Sequence, residues 1–307
     1  MSDQIGSRAG LDVVLPVSDF PDWLNPIFVR DLRQGLRSSF FIWAFVSLQA
    51  VAILTALMEW AMAQFFGGSG GGPLLAGAST VVTNLIFSFF LPLSLFHSMQ
   101  PELGRGRNAE LLLTSRLSRW QIVRGKLLVA TTLSALLLIS LLPYFLIRYF
   151  LGRVEPVGLM LEMMNLLIAN AVMNAVVIGA SAFGSYLVRF VLIFFLMILH
   201  SAAAAAYVMR RNFSGGVPGG FLPDDFAGQV LAAALYILLC LQLGRARLQS
   251  IRQVVDPVAT ILVFTLLAPI AHGVLVASAG PLFAILFLCL MIAVALLLDR
   301  DAPRKKS

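Results

Sequence analysis

Charge is what this chain has least of. Only 12% of its 307 residues are Asp, Glu, Lys or Arg, about half the roughly 25% of a soluble globular protein. With 59% of the residues hydrophobic, too little polar side chain remains to coat a water-soluble surface. Cysteine is nearly absent too. Cys240 and Cys289 both fall within apolar runs with no His/Cys spacing around them, so they read as two buried free thiols and not as a disulfide or a metal site. The histidines His97, His200 and His272 share no spacing either, and no metal is expected. There is no HExxH, no G-x-S-x-G and no clustered acidic pair within an apolar run, which leaves membrane catalysis without support. A G-x-x-x-x-G-K-[ST] loop is missing as well: Leu127 follows Gly125-Lys126, and Trp120 stands where the first glycine belongs. A phosphate cradle of that type cannot form, so no cofactor and no enzymatic activity are expected of this chain. The first 39 residues hold no long apolar core followed by a cleavage site, and no cleaved signal peptide is expected.

What the chain does have is long apolar runs. About 20 apolar residues cross a bilayer as a helix, and runs of that length are too long for barrel strands. The expected fold is therefore all-α: a polytopic transmembrane bundle of about eight spans, at 40–66, 79–99, 127–149, 159–183, 190–209, 227–243, 257–278 and 281–298. Two places weaken that count, a tight turn at Tyr186–Arg189 and the Gly280-Pro281 pair. Six full spans plus re-entrant elements is the alternative topology. Residues 1–23 form an N-terminal tail, 24–39 an interfacial segment, 40–298 the membrane domain and 299–307 a basic tail.

The basic residues orient the bundle. With both termini cytoplasmic, all 22 Lys and Arg fall on inside segments except Arg148, Arg153, Arg210 and Arg211. Such asymmetry is the positive-inside pattern. It accounts for the net charge of +7 without a nucleic-acid partner.

Before the first span, Asn25 is placed to cap a helix that Pro26 begins. Phe28, Leu32 and Leu36 recur every four residues, while Arg30, Arg33 and Arg37 take another face. This spacing predicts an amphipathic helix in the membrane interface, apolar side to lipid and arginines to anionic headgroups. Gly35 and Ser38-Ser39 offer a bend before Phe40.

Between the second and third spans lies a basic connection with its own pattern, Pro101 to Lys126. Asn108–Leu113 suits a short helix, Thr114 and Ser115 interrupt it, and Ser118 stands three residues before Gln121. That is capping-box spacing, and a second helix is predicted from Arg119 into the third span. Leu111, Leu112 and Leu113 form an apolar patch.

The segment Glu110–Lys126, ELLLTSRLSRWQIVRGK, resembles the connection between the second and third spans of type-2 permeases of ATP-binding cassette transporters. Asn25–Arg37, NPIFVRDLRQGLR, is similar to the N-terminal start of that family. Arg116 stands where the family commonly has Pro, and Asn108-Ala109 departs from its Gly-Thr-Leu-Glu run. The resemblance implies a permease subunit without its own ATPase, acting in export. A separate ATP-binding cassette subunit would dock on a coupling helix, Leu111–Leu113 entering its groove, Glu102 or Glu110 pairing with its bases. A second permease subunit, identical or not, would complete the path. The alternative is a multi-pass assembly or regulatory protein whose basic connection recruits a cytoplasmic partner without transport.

Polar residues inside spans are functional candidates because lipid cannot satisfy them. Asn84 lies in the second span; Asn165, Asn170 and Asn174 lie in the fourth, the last two one turn apart. They can line a translocation path or, the favoured reading, hydrogen-bond between helices.

Overall fold

The computed structural model describes residues 26–65, 82–99, 119–150, 156–213, 223–249 and 258–300. Among these every regular element is helical: α1 (Pro26–Leu36), α2 (Ser39–Phe65), α3 (Val82–Leu93), α4 (Arg119–Ser140), α5 (Leu142–Phe150), α6 (Pro156–Ser181), α7 (Tyr186–Phe213), α8 (Pro223–Gln249), α9 (Val258–Ser278) and α10 (Pro281–Arg300). Six stretches are long and apolar enough to cross a membrane: Ser39–Met58, Trp120–Ile147, Met160–Ser181, Tyr186–Tyr207, Phe226–Arg247 and Val258–Ser278. Val82–Leu93 and Pro281–Leu296 are shorter apolar helices. The chain is a multi-pass helical bundle.

Two glycine-lined crossings set its core. On α6, a Cβ at Gly179 would lie 2.5 Å from the carbonyl oxygen of Cys240 on α8, and Gly244 of α8 rides over Gly179 in turn. The absence of side chains here lets two backbones touch, as small residues do in membrane helices. Gly273 of α9 meets Ala203 of α7 in the same way, within the alanine run Ala202–Ala206. Around these crossings Val176, Val177, Ile178, Leu196, Met197 and Leu243 are buried. By contrast α2 is a peripheral helix. Only 6% of its apolar window is buried, and Trp43, Leu54 and Leu57 point outward, as side chains facing lipid do.

Proline explains most breaks. Pro143 has no N–H for the carbonyl of Ile139, so α4 tightens at Leu141, whose N–H turns to Leu138 at 3.0 Å, and α5 restarts. The predicted span 127–149 is thus two helices, with α4 beginning at Arg119 as the spacing before Gln121 predicts. At the other end, Gly280 takes φ 102° and Pro281 opens α10, the Gly-then-Pro order that stops one helix and starts the next.

Four expectations need correction. The turn predicted at Tyr186–Arg189 lies earlier, at residues 182–185; Tyr186–Arg189 is the first turn of α7. The predicted span 79–99 is an interrupted helix: Val82–Leu93 contains a π turn at Ile86–Phe90, and short turns carry the chain to Met99. Cys240 is buried, but Cys289 lies on the exposed face of α10. Finally, α1 bends from α2 at Arg37-Ser38, where the Ser38 hydroxyl accepts from the Phe41 N–H at 3.2 Å. Its inner side, however, packs on α4, a Cβ at Gly35 falling 2.7 Å from Leu133, while Leu36 turns outward. One side of the helix is seated on protein and the other is exposed.

The crossing at Gly179 yields a paired test. Gly179→Ala is expected to destabilise the bundle by about 1–3 kcal/mol through overpacking. Gly184→Ala, where nothing lies within 4 Å of the added carbon, should stay within about 0.5 kcal/mol. Thermal unfolding of the two purified variants in detergent checks the difference.

Candidate functional site

Arg124 and Lys126 of α4, Arg189 of α7 and Arg245 and Arg247 of α8 gather at one end of the bundle, where α3 stops and α4 starts. Residues 100–118 between these helices lie outside the described residues, and with them Glu102, Glu110, Leu111, Leu112, Leu113 and Ser118. Gln121 is described and exposed on the first turn of α4.

The two sides of this connection are tied together at its base. Lys126 Nζ donates to the carbonyl of Ser98 at 2.7 Å. The Ser98 hydroxyl meets that of Ser181, the last residue of α6, at 3.2 Å. Trp120 packs under two guanidinium groups, Arg124 at 4.5 Å and Arg245 of α8 at 5.3 Å. Arg247 lies 5.3 Å above the Phe183 ring. Cation–ring contacts of this kind each contribute about 0.5–1 kcal/mol where exposed. Any force applied to the connection therefore reaches α3, α4 and α6 at once.

The interruption in α3 has a chemical cause. In the π turn the N–H of Leu91 bonds to Ile86 and not to Phe87. The carbonyl of Phe87 would next look to residue 92, but that is Pro92, which has no N–H. An orphan carbonyl in an apolar interior costs about 1–3 kcal/mol. Asn170 of α6 fills the place: its Nδ2 donates to Phe87 O at 2.6 Å, and Asn174 Nδ2 donates to Asn170 Oδ1 at 2.8 Å. Both asparagines are buried. The structure thus brings Asn170 and Asn174 together as a helix-to-helix pin, and in this conformation their amides are committed to protein partners. Asn84 and Asn165 are half-buried on α3 and α6. Gln49 makes a similar link from α2, its Nε2 donating to Ser140 Oγ at 2.7 Å.

On α1, Arg30 pairs with its neighbour Asp31 at 2.9 Å, and Arg33 and Arg37, both exposed, line a cavity with Gln34 and Ser38. Asn25 lies outside the described residues.

One polar cluster was not foreseen. His272 of α9 stands between two tyrosines, its Nε2 2.9 Å from Tyr207 Oη on α7 and its Nδ1 2.6 Å from Tyr236 Oη on α8. A neutral imidazole has one N–H and one lone pair, so one tyrosine donates and the other accepts. His200 packs edge-on to Tyr236 at 4.4 Å. A Cβ at Gly228 would meet Tyr207 Oη at 2.5 Å, so glycine makes room for the phenol. The spacing that could have shown it is His200 to Tyr207, two turns apart on one helix face; a search for His–His spacing misses it. Among the described residues no group of three His, Cys, Asp or Glu side chains could hold a metal ion.

No known family model, curated protein or solved structure matches the chain.

The pin predicts non-additivity. Asn170→Leu should cost about 1–3 kcal/mol by orphaning the Phe87 carbonyl. In a Pro92→Ala background, which restores an N–H nearby, the same substitution should cost measurably less. A double-mutant cycle on unfolding midpoints reads the coupling.

Proposed function

We propose that this chain is the membrane-spanning permease subunit of an ATP-binding cassette transporter of the bacterial cytoplasmic membrane. It would be driven by a separate ATPase chain, would work with a second permease subunit and would export its substrate. The reading is carried by one observation: the resemblance of Glu110–Lys126 leads directly into a helix that starts at Arg119 and is tied at Lys126 to the end of α3. The gathering of bases at that end supports a cytoplasmic placement.

In this reading the partner holds the ATP and this chain holds the lever. Leu111–Leu113 enter the partner's groove, with Glu102 or Glu110 against its bases. Closure of the partner pushes the connection. The push passes through Ser98, Lys126 and Ser181 into α3, α4 and α6. The π turn in α3 already departs from regular helical bonding, and Asn170 and Asn174 can exchange partners as α3 moves, turning from pin to path lining. A switch of this kind requires contacts that differ between two states, and the Phe87–Asn170 bond is such a contact.

Purification of the tagged chain from its native membrane in mild detergent should recover an ATPase with a Walker motif. Replacing Leu111, Leu112 and Leu113 together by Ser should lose that partner while the chain still inserts. Recovery of a cytoplasmic partner that does not hydrolyse ATP would favour the assembly or regulatory reading. A triple variant that keeps its ATPase would remove the docking role.

A further inference from the structure

Arg189 is a charged side chain almost fully shut away, 1% exposed, yet no carboxylate among the described residues pairs with it. Nη1 lies 3.4 Å from the carbonyl of Phe96 and 3.4 Å from His97 Nδ1, and Nη2 donates to Gly184 O at 3.3 Å. Nε is buried without any partner. A guanidinium carries five donors and no acceptor; beside these three long contacts only the Phe96 and Tyr186 rings face it, at 5.1 and 4.4 Å, and no counter-charge among the described residues reaches it. Removing an ion from water without a counter-charge is among the costliest arrangements a fold can hold.

Its position makes the deficit larger. Arg189 belongs to the first turn of α7, a helix of 28 residues. The first N–H groups of a helix lack acceptors and carry the positive end of its dipole. Two features of the same sign therefore meet at one spot, the setting in which helix N-termini hold anions. The Tyr186 ring covers the guanidinium at 4.4 Å and is itself 67% exposed, so rotation of a surface side chain uncovers the charge. From there the outer face of α7 presents Leu187, Phe190, Val191, Phe194 and Ile198 to the surroundings. An anion seat continuing into an apolar stripe has the shape of a phospholipid: phosphate at the helix end, acyl chains along the helix.

We propose that Arg189 and the N-terminus of α7 bind the phosphate of an anionic glycerophospholipid, with Tyr186 as its cover and the outer face of α7 as the acyl track. The site depends on the membrane placement of the bundle and is independent of any ATPase.

Delipidated full-length protein in detergent, examined by native mass spectrometry, tests this directly. Phosphatidylglycerol should be retained in preference to phosphatidylcholine. Arg189→Gln should weaken that retention by about tenfold, the loss of one charge-assisted contact, and Arg189→Lys should restore part of it. Inorganic phosphate should displace the lipid weakly or not at all; thermal stabilisation by phosphate equal to that by the lipid would assign the site to free phosphate and overturn the lipid. In wild-type protein, which does not depend on a variant folding, a photoreactive phosphatidylglycerol should label the Tyr186–Ile198 segment. Undiminished retention by Arg189→Gln, or labelling confined to other segments, would contradict the proposal.

Discussion

A backbone surrounded by hydrocarbon has to satisfy its own N–H and C=O groups, and the architecture follows from how this chain meets that demand. Where the helices run without proline, the demand is met within them. Where proline or glycine interrupts, each break is repaired by a different device. At Pro143 the helix tightens and restarts. At Gly280-Pro281 a positive φ ends one helix and a proline begins the next. At Pro92 no local repair exists for the Phe87 carbonyl, and Asn170 supplies the missing donor from α6. That third repair binds α3, which leads towards the basic connection, to α6, the most buried of the apolar spans among the described residues.

The same economy governs packing. Without a hydrophobic drive between helices in lipid, close approach and hydrogen bonds hold them. Gly179 and Gly244 bring α6 and α8 together, Gly273 and Ala203 bring α9 to α7, and His272 joins α7, α8 and α9 through two phenols. The helices α6 to α10 thus form a tightly joined body. The helices α1 and α2 reach α4 at Leu133 and Ser140, and α3 packs on α6 at Asn170.

Much of this was legible in the sequence, for a physical reason. Apolar runs report the thickness of the bilayer, so six helices fell near their expected places, and Gln121 with Ser118 announced the start of α4 at Arg119. The π turn at Ile86–Phe90 was not legible, because apolar composition is the same in a regular and an interrupted helix; only Pro92 hinted at it. The inward turn of Gly35 escaped because a glycine has no side chain for a periodicity to count. The Tyr207–His272–Tyr236 cluster escaped because its members lie on three helices and meet only in the fold. Asn170 and Asn174 were singled out correctly as neighbours on one face, but their partner, a carbonyl freed by a proline 78 residues earlier, has no sequence signature.

The account stands on the basic end facing the cytoplasm. Single cysteines at Gly70 and Arg247, in a background with Cys240 and Cys289 replaced by Ala, test it with a membrane-impermeant maleimide on intact cells. The account predicts that the cysteine at position 70 is labelled from outside and the one at 247 only after permeabilisation. Labelling of position 247 in intact cells, with position 70 protected, would reverse the orientation and contradict both the docking connection and the mechanism built on it.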